Sequence, residues 1–105
     1  MSYTHKQIQD MNKLTHHHFH KDDNRNKIIL KVIEELSSIN KQLVKLLLKE
    51  IEPYDIELLD ELFDADFMMF QLKVLLVPDE YTQILFNNVV NAKLERELKR
   101  WGLND

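Results

Sequence analysis

The sequence lacks cysteine altogether and has only one glycine and two prolines among its 105 residues. The lack of cysteine excludes a disulfide scaffold, a thiolate zinc site and a cysteine nucleophile, and it fits a reducing cytoplasm, where we expect the protein to reside. A β-rich protein of this size would need many tight turns, which are most often made with glycine and proline. The scarcity of both residues therefore favours helices.

Long apolar runs and an excess of positive charge are also missing. The longest apolar runs, residues 46–48 and 74–77, are far shorter than the roughly 20 residues that cross a bilayer as a helix. The first residues form no apolar stretch of the kind that a signal peptide needs. The 14 Lys and Arg are outnumbered by 18 Asp and Glu, which gives a net charge of -4. Because nucleic acids and anionic membranes attract basic surfaces, we expect neither as a partner.

The residues that are present predict a single all-α domain, residues 1–105. Apolar residues make up 44% of the chain and charged residues 30%, which is typical of soluble globular proteins. A chain of this length usually forms one domain. The apolar spacing predicts four helices, which cover residues 4–19, 24–50, 54–76 and 79–101.

Proline and glycine indicate where these helices begin and end. Pro53 and Pro78 each come before an acidic residue and an apolar-periodic run, so we interpret both as helix starts. Gly102 follows a cationic turn and predicts the end of the fourth helix. The short connections at 51–53 and 77–78 make neighbouring helices antiparallel, which predicts an antiparallel, four-helix bundle-like protomer.

The second and third predicted helices are apolar over more than one face. A helix of a four-helix monomer buries about one apolar stripe, and a short chain gains stability from association. We therefore expect a homodimer or homotetramer that assembles through these central helices.

Four acidic residues of the third helix share one stripe, because they are spaced three, four and seven apart: Glu57, Asp60, Glu61 and Asp64. Their repulsion is relieved by lysines or by a divalent ion with a preference for oxygen ligands. Glu35 of the second helix lies along an apolar seam, and antiparallel packing would bring it within reach of Glu61 and Asp64. The alternative is that the acidic stripe is an ordinary solvated face.

Two acidic motifs and a basic segment follow one another along the chain. They are Glu-Glu-Leu-Ser-Ser at residues 34–38, Glu-Leu-Phe-Asp at 61–64 and Asn-Ala-Lys-Leu-Glu-Arg-Glu-Leu at 91–98. Together they resemble the MazG-like nucleoside triphosphate pyrophosphohydrolases, a family of all-α enzymes. That family has a Glu-Glu-x-x-Glu motif on one helix, a Glu-x-x-Asp motif on the next and a basic closing helix. The likeness spans about residues 19–98.

The resemblance implies an enzyme that uses Mg²⁺, with Mn²⁺ as a substitute, to cleave a nucleoside or deoxynucleoside triphosphate to the monophosphate and pyrophosphate. By the same resemblance the metal ligands would be Glu35, Glu61 and Asp64. Glu34 or Asp60 would orient or deprotonate the attacking water. The residues that would contact the substrate phosphates are Asn91, Lys93 and Arg96.

One position departs from the family pattern. The last glutamate of the first motif is Ser38 here, and a neutral hydroxyl offers less charge to a cation. Mg²⁺ keeps several waters in protein sites, so a water held by Ser38 would fill the gap at some cost in metal affinity. The alternative function is that of a catalytically degenerate relative that binds nucleotide or another protein. Lys93 also has an alternative, an ion pair with Glu97 four residues later.

Five histidines lie within the first 20 residues, a segment that we expect to be peripheral. His16 and His20 are four apart and would grip a transition metal ion if they share a helix, with Asp22 or Asp23 as a further ligand. This gives a third candidate function, transition-metal binding. The competing interpretation is that His5, His16, His17, His18 and His20 form an exposed tract with fortuitous metal affinity.

Overall fold

The computed structural model of the chain describes residues 2–19 and 25–104. Within these ranges all regular secondary structure is helical and no strand occurs. The four helices are α1 (His5–Phe19), α2 (Arg25–Leu47), α3 (Ile56–Leu76) and α4 (Glu80–Arg100). The all-α class and the number of helices predicted from the sequence are therefore confirmed.

The contacts divide the chain into two compact units, Met1–Leu72 and Lys73–Asp105. The first unit holds α1, α2 and most of α3, and the second holds the end of α3 together with α4. The single-domain organisation indicated by the length stays a prediction. None of the described helices is both long and apolar enough to pass through a membrane.

Side-chain caps determine where α1 and α4 begin. The Thr4 hydroxyl accepts a hydrogen bond from the Gln7 backbone N–H (3.1 Å), and the Gln7 side chain accepts one from the Thr4 N–H (2.8 Å). Asp79 and Thr82 form the equivalent reciprocal pair at α4. Each pair satisfies two backbone N–H groups that have no partner within the helix.

The two prolines lie outside the helices rather than in their first turns. Asp55 accepts a hydrogen bond from the Leu58 N–H (3.1 Å) at the start of α3, and Asp79 does the same for α4. Pro53 and Pro78 precede these two caps. The interpretation of the prolines as helix starts was therefore wrong by one or two residues, because the carboxylates, and not proline, satisfy the first backbone donors.

Both α2 and α4 end with a residue in the left-handed backbone conformation. Lys49 has φ 60° and Gly102 has φ 65°. After α4 the Gly102 N–H donates a hydrogen bond to the Lys99 carbonyl, and the Leu103 N–H donates one to the Leu98 carbonyl. This pair of hydrogen bonds satisfies carbonyl groups at the end of the helix and terminates it. The predicted stop at Gly102 is confirmed. The second helix ends at Leu47, three residues earlier than predicted, because the same closure forms around Lys49.

The described core is small and lies in the first unit. Its buried apolar side chains come from α1, α2 and α3: Met11, Ile28, Val32, Ile39, Leu58, Ala65 and Met68. Glu35 of α2 meets residues 61 and 64 of α3, whereas Ile39, further along α2, packs with Leu58. The two helices therefore run antiparallel, as predicted. No residue of α4 is buried.

Candidate functional site

The three carboxylates that the sequence predicts as metal ligands come together in the first unit. Glu35 is on α2, and Glu61 and Asp64 are one turn apart on α3. One oxygen from each side chain lies within 4.8 Å of the other two. The predicted convergence is therefore present, because the connection of residues 48–55 returns the chain antiparallel along α2.

Glu35 is the most enclosed of the three acids. It is 8% exposed and lies on the buried stripe of α2, between Val32 and Ile39. Its Oε1 forms an ion pair with Lys31 Nζ at 3.0 Å, and Lys31 also lies 3.6 Å from Glu34 Oε1. A buried carboxylate needs such a partner, since an isolated charge in an apolar environment is strongly destabilising.

The electrostatics of the cluster favour protonation or a cation. Burial, followed by the charges of Glu35, Asp64 and Asp60, raises the pKa of Glu61. Burial, followed by the charges of Asp60 and Glu35, raises the pKa of Asp64, and Lys31 opposes this only in part. Lys31 pairs with Glu35 and acts on Asp64, but it is not among the causes that shift the pKa of Glu61, so the negative charge of the three carboxylates is incompletely neutralised.

One oxygen of the cluster has no partner within the described part of the chain. Glu61 Oε2 is buried and accepts no hydrogen bond there. An unsatisfied buried acceptor costs on the order of 1–3 kcal/mol. A divalent cation would satisfy this oxygen and offset the charge of its neighbours at once. The donor set consists of carboxylate oxygens only, which suits Mg²⁺ or Mn²⁺.

A cavity of about 250 Å³ adjoins these acids. It is lined by His18, Lys31, Glu35, Asp64, Phe67 and Met68. The wall thus combines two carboxylates, an ammonium group, an imidazole and an apolar surface.

The residues predicted to act on water lie at the edge of the cluster. Glu34 and Asp60 are both exposed, and Glu34 belongs to the ion pair with Lys31. Asp60 is close enough to Glu61 and Asp64 to influence both electrostatically. The catalytic roles of Glu34 and Asp60 stay predictions.

The predicted phosphate contacts belong to the second unit. Asn91, Lys93 and Arg96 are all exposed on α4. Lys93 and Arg96 are three residues apart and share a face, whereas Asn91 is rotated by about 200° from Lys93 around the helix. Glu97, the alternative partner of Lys93, pairs with Arg100 at 3.6 Å instead. The phosphate roles of these three residues also stay predictions.

His18 is the site residue that sequence reasoning missed. Its Nδ1 lies 3.0 Å from the side-chain nitrogen of Gln71, which is only 1% exposed. The dense histidine tract indicated an exposed segment, so nothing in the sequence singled out His18 as a residue of the site. Its spacing from the buried residues Met11 and Thr15, seven and three positions, places it on the inward stripe of α1.

The predicted transition-metal site at the histidines lies partly within the described residues. His5 and His16 are exposed, and the side chain of His5 lies 3.1 Å from that of Gln9. The remaining members of the proposed transition-metal site, His20, Asp22 and Asp23, lie outside the described residues.

Comparisons of the chain with protein-family models, with curated proteins and with solved structures found no match.

Proposed function

We propose that the protein is a divalent-metal-dependent nucleoside triphosphate pyrophosphohydrolase of the MazG-like type. The observation that carries this proposal is the meeting of Glu35, Glu61 and Asp64 in the first unit, with one buried oxygen that has no described partner. This is the arrangement that the two acidic motifs lead one to expect. It explains why three acids from two neighbouring helices have oxygens within 4.8 Å of one another.

Each acid has a role that its position supports. Glu35, Glu61 and Asp64 hold Mg²⁺ or Mn²⁺, and the bound ion supplies charge neutralisation for the triphosphate and a better water nucleophile. Glu34 or Asp60, exposed beside the cluster, accepts a proton from the attacking water or orients it. The water oxygen bonds to the α-phosphorus and the bond to the bridging oxygen breaks, which yields the monophosphate and pyrophosphate.

The test is pyrophosphate release from a panel of nucleoside and deoxynucleoside triphosphates in the presence of Mg²⁺. Glu61→Gln should abolish release, because it removes one of three ligand charges while it preserves the shape of the side chain. Glu57→Gln is the matched control, since Glu57 is an exposed acid on the same helix. No release from any substrate, or equal loss in both variants, contradicts the proposal.

A second candidate function is nucleotide binding or protein binding by a catalytically degenerate protein. Ser38 favours this candidate, because it is partly buried on α2 one turn after Glu35, where the family motif has a carboxylate. Ser38→Glu distinguishes the two functions. A gain in turnover identifies a hydrolase with a weakened metal site, whereas tight nucleotide binding without turnover in both forms identifies the degenerate protein.

We further propose that the protein is a homodimer or homotetramer in the cytoplasm. The support is an apolar face of α2 that the first unit leaves open, formed by Leu30, Ile33, Val44 and Leu47, with Leu47 81% exposed. A second copy of the chain would cover this face. Sedimentation equilibrium at micromolar concentration should give at least twice the chain mass of 12.7 kDa, and a monomer would remove this proposal.

A further inference from the structure

One stripe of α4 has the spacing of a helix that packs against another helix. Residues 81–92 carry no charge, yet no residue of α4 is buried. Six side chains recur at alternating intervals of three and four residues, as the contact positions of a coiled coil do. These side chains, which we call the α4 seam, are Ile84, Asn87, Asn91, Leu94, Leu98 and Trp101.

The α4 seam is open to solvent along its length. The exposed fractions of its apolar members are 53% for Ile84, 57% for Leu94, 43% for Leu98 and 69% for Trp101. Asn91 makes no side-chain hydrogen bond with the described residues, and Asn87 only accepts one, from the Gln83 side chain at 3.0 Å. Because a buried amide needs hydrogen-bond partners, a helix that covers the seam has to present a polar group at the level of these asparagines.

A second copy of α4 in antiparallel orientation supplies the matching groups. The register that matches them has its two-fold axis at Val89. Ile84 then faces Leu94 of the partner subunit, and Asn87 faces the partner subunit's Asn91, and each pairing occurs twice. Apolar groups meet apolar groups, and the side-chain nitrogen of Asn87 donates to the oxygen of the facing amide.

The charges of the helix favour the same orientation. Residues 79–92 hold two acids and no base, whereas residues 93–100 hold four bases and two acids, so the net charges of the two halves are -2 and +2. Antiparallel packing places the acidic half of one copy beside the basic half of the other, and parallel packing would place like halves together. The opposed helix dipoles act in the same sense.

We propose that α4 is a self-association surface, on which a second copy of the chain packs antiparallel through the α4 seam. This surface is separate from the open face of α2, and the proposal does not depend on the metal site. If both surfaces are occupied, the protein is a tetramer, since two different two-fold contacts close into a dimer of dimers.

Disulfide cross-linking tests the register, because the chain has no cysteine of its own. In the double variant Ile84→Cys, Leu94→Cys each cysteine faces one on the second copy, so oxidation should convert the protein to a covalent dimer. The two positions are about 15 Å apart along one helix, too far for a bridge within the chain. Either single variant should stay monomeric on a non-reducing gel, since the same distance separates its two copies.

A second double variant, Asn87→Cys, Asn91→Cys, tests the neighbouring layer with every apolar residue of the seam retained. It should also give a covalent dimer. Val89→Cys is the matched control, an exposed residue at the level of the two-fold axis but on the opposite side of the helix from the seam, and it should not cross-link. Circular dichroism of each variant checks that its helicity is retained.

The proposal is overturned if neither double variant forms a covalent dimer, since the seam would then not be a contact between copies. It is also overturned if the single variants cross-link as readily as the double variants, which is the result for parallel packing. Equal cross-linking of Val89→Cys would show random collision and would overturn it as well. None of these results bears on the metal site, which Mn²⁺ binding tests separately.

Discussion

At Glu61, burial and the negative charge of neighbouring carboxylates both raise the pKa of the side chain. The side chain is partly buried, its Oε2 has no partner among the described residues, and neighbouring carboxylates add to the effect of burial on its pKa. A carboxyl group whose pKa is raised on folding binds protons more tightly in the folded than in the unfolded state. Its contribution to stability is therefore lost as pH rises from its ordinary value of 4.5 through the higher folded value.

Glu61→Gln should therefore raise the thermal midpoint of the metal-free protein at pH 7, and the difference from wild type should shrink as the pH is lowered toward 4.5. Added Mg²⁺ should stabilise the wild type by about 2.7 kcal/mol at one hundred times its dissociation constant, and should stabilise the variant by about 1.4 kcal/mol or less if its affinity is tenfold or more weaker. The measurement is thermal unfolding with EDTA and with Mg²⁺ across this pH range. A variant that is less stable than wild type in EDTA at pH 7 would contradict this explanation.

Protonation of the Tyr3 phenol is also linked to folding, but at alkaline pH rather than in the range where Glu61 titrates. Its hydroxyl donates a hydrogen bond to Asp66, and this bond, together with burial and the charge of Asp66, raises the pKa of Tyr3 to about 12. The folded protein therefore keeps the phenol proton at pH values where the unfolded chain has lost it. The stabilisation is complete below pH 10 and is lost as the pH rises to about 12.

Tyr3→Phe should cost about 1.5–3 kcal/mol in the free energy of unfolding at pH 8, the value of a hydrogen bond to a charged group. The cost should decrease above pH 10, because the wild type loses this contribution and the variant never had it. Urea unfolding of both proteins at pH 8 and pH 11 measures the difference. A difference that is equal at the two pH values would show that the bond does not act through the phenol proton.

At the scale of the helix, α2 and α4 end in the same hydrogen-bond pattern, but the residue with positive φ is lysine in one and glycine in the other. Lys49 and Gly102 both have φ near 60°, a conformation that costs a residue with a Cβ about 1–2 kcal/mol. A Cβ at Gly102 would meet no heavy atom within 4 Å, so the backbone angle alone penalises a substitution there.

Lys49→Gly should therefore stabilise the protein by about 0.5–1 kcal/mol, the relief of strain less the extra entropy of glycine in the unfolded chain. Gly102→Ala is the reciprocal control and should destabilise the protein by a similar amount. Urea unfolding of the two variants checks both signs. Destabilisation by Lys49→Gly would show that its side chain contributes more than its backbone strain costs.

At the scale of the whole molecule, local rules predicted the helices and the acidic cluster but not the extent of the core. The spacing of Glu61 and Asp64, and the short connection after α2, were sufficient to bring both residues to Glu35. The position of His18 was not foreseeable, because it depends on how α1 packs on α3 and on the buried partner Gln71. Two helix bounds differ from the prediction. The third helix begins after the Asp55 cap rather than directly after the proline, and the second helix ends before Lys49 although apolar residues continue beyond it.

The small core leaves much apolar surface exposed on the molecule. Seven buried apolar side chains are described, whereas apolar residues such as Leu47, Leu48 and Tyr54 remain well exposed. Exposed apolar surface of this extent commonly marks an interface. Leu47→Glu on the open face of α2 should therefore lower the sedimentation mass without loss of helicity by circular dichroism. An unchanged mass would show that this face is not the contact between copies.

The central claim is that Glu35, Glu61 and Asp64 hold one divalent cation. Electron paramagnetic resonance of free Mn²⁺ measures its binding directly, with no need for a substrate. We predict one bound Mn²⁺ per chain in the wild type and in Glu57→Gln, and an affinity weaker by about tenfold or more in Glu35→Gln and Glu61→Gln, since each loses a charged ligand. Equal Mn²⁺ binding by all four proteins, or none by the wild type, would contradict the account.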